Sequence, residues 1–119
     1  MKIATLNINN VGKRLANLLA WLEQARPDVV CLQETKSPDR IFPVQALADA
    51  GYGAVYSGER TWNGVAILAR GADPVPTRRG LPGDPDDRLT RDIEAAVGGL
   101  LVGCLYAPNG NPVPGAMFA

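Results

Sequence analysis

The strongest constraint on the fold is an apolar strand, an amphipathic helix and a second apolar strand, all within residues 2–34. Lys2 to Asn9 (KIATLNIN) alternates as a strand does, with Ala4, Leu6 and Ile8 on one face and Ile3, Thr5, Asn7 and Asn9 on the other. Val11, Leu15, Leu18, Leu19 and Leu22 then recur at helical spacing. Asn9 or Asn10 is placed to cap that helix, and Arg26-Pro27 to stop it. Asp28 to Glu34 is a short, nearly continuous apolar run that turns polar at its end, the pattern of a central strand covered on both faces. Strand, helix and strand in so short a span make a right-handed βαβ unit with two parallel strands.

Antiparallel signals follow. Pro43 to Ala50 reads as a short helix stopped by Gly51. Gly53 to Ser57 and Val65 to Ala69 read as strands, with Thr61-Trp62-Asn63-Gly64 between them and Asn-Gly as the hairpin signal. Residues 71–88, crowded with prolines and glycines, read as an irregular surface loop. Arg91 to Val97 and Leu100 to Tyr106 form a second hairpin around Gly98-Gly99, and residues 107–119 carry loop chemistry. The expected class is α/β, opening parallel and continuing antiparallel. Two helices cannot cover about six strands on both faces, so one sheet face is expected to lack a partner layer.

Composition narrows the function classes without choosing one. The 119 residues are one domain's worth of chain, and 46% hydrophobic with 20% charged residues is ordinary for a globular protein. Twelve basic and twelve acidic side chains cancel, so net charge announces neither a nucleic-acid binder nor a membrane-surface protein, although a local basic patch is compatible with it. No apolar run approaches the roughly 20 residues of a membrane span. Asparagines interrupt the amino terminus before a signal-peptide core could form, so a cytoplasmic location is expected. Cys31 and Cys104 lie in apolar runs without CxxC spacing and read as reduced, buried thiols rather than a disulfide. The chain contains no histidine, which removes every role for an imidazole base, acid or metal ligand within it.

Ligands of α/β sheets gather beyond the carboxyl ends of parallel strands. The βαβ unit brings Asn7 and Glu34 to that edge together, and an amide oxygen beside a carboxylate suits a hard cation such as Mg²⁺. The same residues also read as a turn or cap asparagine and a solvated strand end. Lys36 is either a phosphate partner or a surface lysine. Trp62 at a hairpin tip either stacks on nucleic acid or packs back on its own strand. Tyr106 reads by default as a core tyrosine ending a strand. Arg78, Arg79 and Arg88 flank Asp84, Asp86 and Asp87 in what reads as a solvated loop. No GxGxxG, P-loop or HExxH pattern is present.

The stretches KIATLNINNVGKRLANLLAWL, PDVVCLQETK, TWNGVAILAR, RGLPGDPDD, IEAAV and GCLYAPNGNPV, in that order, resemble the amino-terminal half of exonuclease III-like enzymes of the endonuclease/exonuclease/phosphatase superfamily. LQETK and WNGVAIL are the specific signals. The resemblance implies that residues 1–119 are a partial domain, the amino-terminal half of a four-layer α/β sandwich. It would hold one mixed sheet with covering helices and a second sheet incomplete or missing. It puts Glu34 and Asn7 at the metal and Tyr106 at the scissile phosphate. Lys36, Trp62, Asn63, Gly64 and Arg91 fall on the DNA-facing or phosphate-binding side, with Asp92 where an aromatic is more usual. The implied parent activity is Mg²⁺-dependent (Mn²⁺ as substitute) 3′–5′ exonuclease and abasic-site endonuclease action on double-stranded DNA with abasic sites or 3′ ends. The family's other carboxylates and its closing aspartate-histidine pair have no counterparts in this chain, which alone is expected to be inactive. The alternatives are a non-catalytic remnant or split half needing a complementing carboxyl-terminal chain, and a phosphatase or phosphodiesterase acting on a non-DNA substrate.

Overall fold

A computed structural model describes residues 1–57, 64–79 and 92–105. The elements run β1 (Ile3–Asn7), α1 (Leu15–Ala25), β2 (Val29–Gln33), a single 3₁₀ turn (Asp39–Ile41), α2 (Val44–Asp49), β3 (Tyr52–Ser57), β4 (Val65–Arg70), β5 (Val75–Arg79), β6 (Asp92–Val97) and β7 (Leu100–Leu105). They form a four-stranded sheet in the order β1-β2-β4-β3 and a three-stranded sheet in the order β5-β6-β7. β1 and β2 are parallel, as the βαβ reading requires, and every other pair is antiparallel.

The continuous apolar character of β2 and β4 follows from their central position. Val30, Leu32, Ala66 and Leu68 face a core shared with Ile8, Val11, Leu18, Leu22 and Leu47 on the helical side. Val29, Cys31, Val65, Ile67 and Ala69 point the other way and meet Ile93, Ala95, Val97, Val102 and Cys104 of the three-stranded sheet. Neither strand has a wet face, so neither alternates. Of the two expectations for the second sheet, incomplete or missing, the first holds: β5, β6 and β7 form a small sheet that folds across the four-stranded one and buries its far face. The uncovered surface is instead the outer face of the three-stranded sheet, where Val75 and Leu101, both paired to Ala96, are 60% and 68% exposed.

Two local expectations also change. The helix begins at Leu15, with Arg14 as its N-cap and no side-chain cap. Asn10 closes the turn before it instead, its Oδ1 accepting from the Lys13 amide at 3.1 Å. The helix does end at the Arg26-Pro27 stop, with Arg26 in the left-handed region at φ 48° and its amide bonded to the Leu22 carbonyl. Residues 75–79, expected as loop, form β5. Pro76 is tolerated because β5 is an edge strand with a register irregularity between Pro76 and Arg78. The Gly98-Gly99 hairpin is as read: both glycines have positive φ, 52° and 86°, the requirement of a type I′ turn. β3 and β4 are also as read: they pair up to Ser57 and Val65 and are joined by residues 58–64, of which Asn63 of the Asn-Gly signal lies outside the described residues.

The edge opposite the carboxyl ends of β1 and β2 is held by polar ties. Asp28 accepts from the Lys2 amide at 2.6 Å and pairs with Arg70 at 2.8 Å. The Lys2 amide, and secondarily the Arg70 guanidinium, hold the Asp28 carboxyl below its ordinary value. The buried Tyr52 hydroxyl donates to the Pro27 carbonyl at 2.7 Å, and burial raises the Tyr52 phenol.

Candidate active site

Parallel pairing aligns Asn7 with Gln33, and the two chains then leave the sheet together. The Ile8 amide donates to the Gln33 carbonyl, Asn10 to Glu34 and Val11 to Thr35, at 2.9, 2.8 and 2.9 Å. The Thr35 amide donates to Gly64 at 3.1 Å, which ties the loop before β4 to the same edge. Thr35 thus links the exits of β1 and β2 to the entry of β4, and its own hydroxyl, fully buried, has no hydrogen-bond partner among the described residues.

Over this short ladder the backbone repeatedly enters the left-handed region. Asn9, Asn10, Glu34 and Lys36 have φ of 47°, 86°, 55° and 49°. Left-handed geometry costs a non-glycine residue about 1–2 kcal/mol, and such residues concentrate where a side chain must be aimed. Here the turn gathers polar side chains at the carboxyl edge. Asn7 Nδ2 donates to Glu34 Oε2 at 2.6 Å. Lys36 Nζ donates to Asn9 Oδ1 at 2.8 Å and lies 3.8 Å from Glu34 Oε1. Glu34 and Lys36 keep 21% and 28% of their side chains exposed, so the carboxylate is held from its sides and remains open to solvent. One step inward, Gln33 Nε2 donates to Thr5 Oγ1 at 2.7 Å.

Asn7 and Glu34 present oxygens of the kind a hard divalent cation takes. For such a cation they would be a partial shell, because no group of three His, Cys, Asp or Glu side chains converges among the described residues. The fit is therefore to a cation that keeps water or substrate oxygens, as Mg²⁺ does. A groove of about 420 Å³ runs from Asn7 and Asn9 along α1 past Arg14 and Asn17 to Trp21. A larger groove of about 680 Å³ lies between the ends of α1 and α2 at the opposite edge, beside Arg26, Tyr52 and Arg70. The chemistry, not the volume, decides between them: Asn7 and Asn9, the hydrogen-bond partners of Glu34 and Lys36, line the smaller one.

The structure thus brings together Asn7, Glu34 and Lys36, with Gly64 joined through Thr35. Trp62, Asn63, Arg91 and Tyr106 lie outside the described residues. Sequence reasoning missed Asn9 as the lysine's acceptor, because alternation put it on Asn7's strand face while its left-handed backbone turns it elsewhere. It also missed Arg14 and Asn17, whose signal was the polar side of the first helix flanking Asn7.

Residues 4–116 match the model of the endonuclease/exonuclease/phosphatase family. Over 115 residues the chain is 37% identical to exodeoxyribonuclease III of Haemophilus influenzae, covering 93% of this chain and 43% of that protein, its amino-terminal half. Among solved structures it resembles the 3′–5′ exonuclease NExo of Neisseria meningitidis at a TM-score of 0.86 and 41% identity, covering 92% of this chain and 43% of the other. An AP endonuclease from Archaeoglobus fulgidus superposes at a TM-score of 0.85 with 38% identity, covering 92% and 42%. The chain thus spans less than half the length of the relatives it matches, and across that span it belongs to the endonuclease/exonuclease/phosphatase family.

Proposed function

We propose that this chain is the metal- and phosphate-facing half of a DNA-repair phosphodiesterase, an exodeoxyribonuclease and abasic-site endonuclease acting on double-stranded DNA. The observation that carries this reading is the 2.6 Å contact between Asn7 and Glu34 at the carboxyl edge of two parallel strands, with Lys36 beside it. Glu34 and Asn7 would hold Mg²⁺ or Mn²⁺, which when bound lends positive charge to a phosphodiester and its leaving oxygen. The chain's own residues supply the rest of what this half does. Lys36, held by Asn9, offers an ammonium to a phosphate oxygen, and Arg14 and Asn17 line the groove along which a DNA backbone would run. Tyr106, Arg91, Trp62 and Asn63 take phosphate- and DNA-facing roles in this reading, and so does Gly64, whose carbonyl accepts from the amide of Thr35 next to Glu34. The names of the relatives, an exodeoxyribonuclease, a 3′–5′ exonuclease and an AP endonuclease, support DNA as the substrate.

Residues 1–119 are on this account a partial domain that does not hydrolyse DNA alone. The absence of histidine from the sequence and the sparse carboxylates of the described edge support that part. A second reading, a split half completed by another chain, is favoured by the exposed apolar row of Val75 and Leu101 on the outer sheet face. A labelled abasic duplex tests both parts. In Mg²⁺ at low salt the chain is expected to bind it without cutting, and Lys36→Ala to weaken binding several-fold. No binding would contradict the DNA assignment. Robust cleavage lost on Glu34→Ala would contradict the inactivity.

A further inference from the structure

The core between the two sheets holds both cysteines of the chain, and it holds them against each other. Cys31 lies on β2 and Cys104 on β7, 7% and 1% exposed, among the same buried side chains. Their contacts cross. Cys104 Sγ lies 3.4 Å from the carbonyl oxygen of Leu32, the chain neighbour of Cys31. Cys31 Sγ lies 3.9 Å from the carbonyl oxygen of Gly103, the chain neighbour of Cys104. Each sulfur thus reaches the backbone beside the other cysteine, which places the two residues on facing strands of the two sheets. We propose that Cys31 and Cys104 form a reversible oxidation site, at which a hydroperoxide joins the two thiols into a disulfide linking the sheets.

The thiols differ in a way that orders the steps. Hydrogen bonding to the Cys104 thiol favours the Cys31 thiolate, whereas that partner and burial push the Cys104 thiol up. The Cys31 thiolate attacks one peroxide oxygen. The O–O bond breaks, sulfur loses two electrons, and hydroxide leaves and takes up a proton as water. The Cys104 sulfur then attacks the Cys31 sulfenic acid. The S–O bond breaks, the S–S bond forms, and the departing hydroxide takes the thiol proton as a second water. Two thiols and one peroxide give one disulfide and two waters. A reducing thiol reverses the product. Cys31 lies three residues before Glu34, so the link fixes the strand that carries the candidate site to the opposite sheet.

The test compares the wild-type chain in buffer and in urea, exposed to hydrogen peroxide, quenched by alkylation and followed by intact mass and peptide mapping. In buffer a monomer lighter by two hydrogens is expected, with one peptide joining Cys31 to Cys104, restored by dithiothreitol. The ratio of this disulfide to trapped or over-oxidised Cys31 sulfur should be at least about tenfold higher than in urea, because the fold holds the second thiol at high effective concentration beside the sulfenic acid. Folded Cys104→Ser should stop at a Cys31 sulfenic acid that dimedone traps. If that variant fails to fold, the wild-type comparison decides alone. An equal or lower ratio in buffer, a disulfide between two chains as the main product, or sulfinic acid at Cys31 with Cys104 still free would overturn the proposal.

Discussion

At Glu34 the chain accepts a left-handed backbone, φ 55°, in order to turn a carboxylate toward Asn7. Glycine adopts that geometry freely and alanine does not. Glu34→Gly is therefore expected to be more stable than Glu34→Ala by about 1 kcal/mol in urea denaturation, although both remove the same carboxylate. Equal stabilities would mean that the backbone there is not strained. Asp28, at the far edge, contributes to stability in acid. Its carboxyl is lowered below the ordinary 3.8 by the Lys2 amide and then Arg70, so its contribution is fully present above pH 3.8 and fades as pH falls through the folded value. Thermal midpoints recorded from pH 5 down to pH 2 should fall less steeply for Asp28→Asn than for the wild-type chain. Asn7 and Glu34 were legible in the sequence because parallel strands end at one edge. The Lys36–Asn9 contact was not, because four positive φ values break the alternation on which face assignments rest.

Among the elements, those with strong periodicity were the ones read correctly. The βαβ unit and the Gly98-Gly99 hairpin follow from spacing and turn chemistry. β5 was hidden, because Pro76 and the neighbouring prolines and glycines speak against a strand until an edge position beside β6 makes the missing amide harmless. The start of α1 was read too early for a related reason: Val11 is buried like a helical core residue, yet it belongs to the turn that follows the Asn10 cap. Gly53, at the start of β3, shows a constraint that only the fold reveals. A Cβ there would run into the Ala72 carbonyl oxygen and the Asp73 backbone. Gly53→Ala is expected to destabilise the chain by about 1–3 kcal/mol, read from the urea midpoint. A change below about 0.5 kcal/mol would mean that the Gly71–Pro74 turn yields easily.

For the molecule as a whole, periodicity carried the class and only the family resemblance implied the layering, because a continuous apolar run says that both faces of a strand are covered without saying by what. The answer is helices on one side and a second sheet on the other, and the core and the outer face predict unequal sensitivities. Leu68→Ala, at a fully buried site between β4 and the helices, is expected to cost about 2–5 kcal/mol. Leu101→Ala, on the uncovered outer face, should stay within about 0.5 kcal/mol for the chain by itself. A large loss at Leu101 would show that the outer face is already covered, by a second copy of the chain for example. The central claim is that the carboxyl edge of β1 and β2 is a cation site built on Asn7 and Glu34. Paramagnetic broadening by Mn²⁺ in amide-resolved NMR tests it most directly. The account predicts selective loss of the Asn7 to Asn10 and Glu34 to Lys36 amide signals, reversed by excess Mg²⁺ and absent in Glu34→Gln. Broadening centred on another carboxylate, such as Asp49, or unchanged by Glu34→Gln, would contradict it.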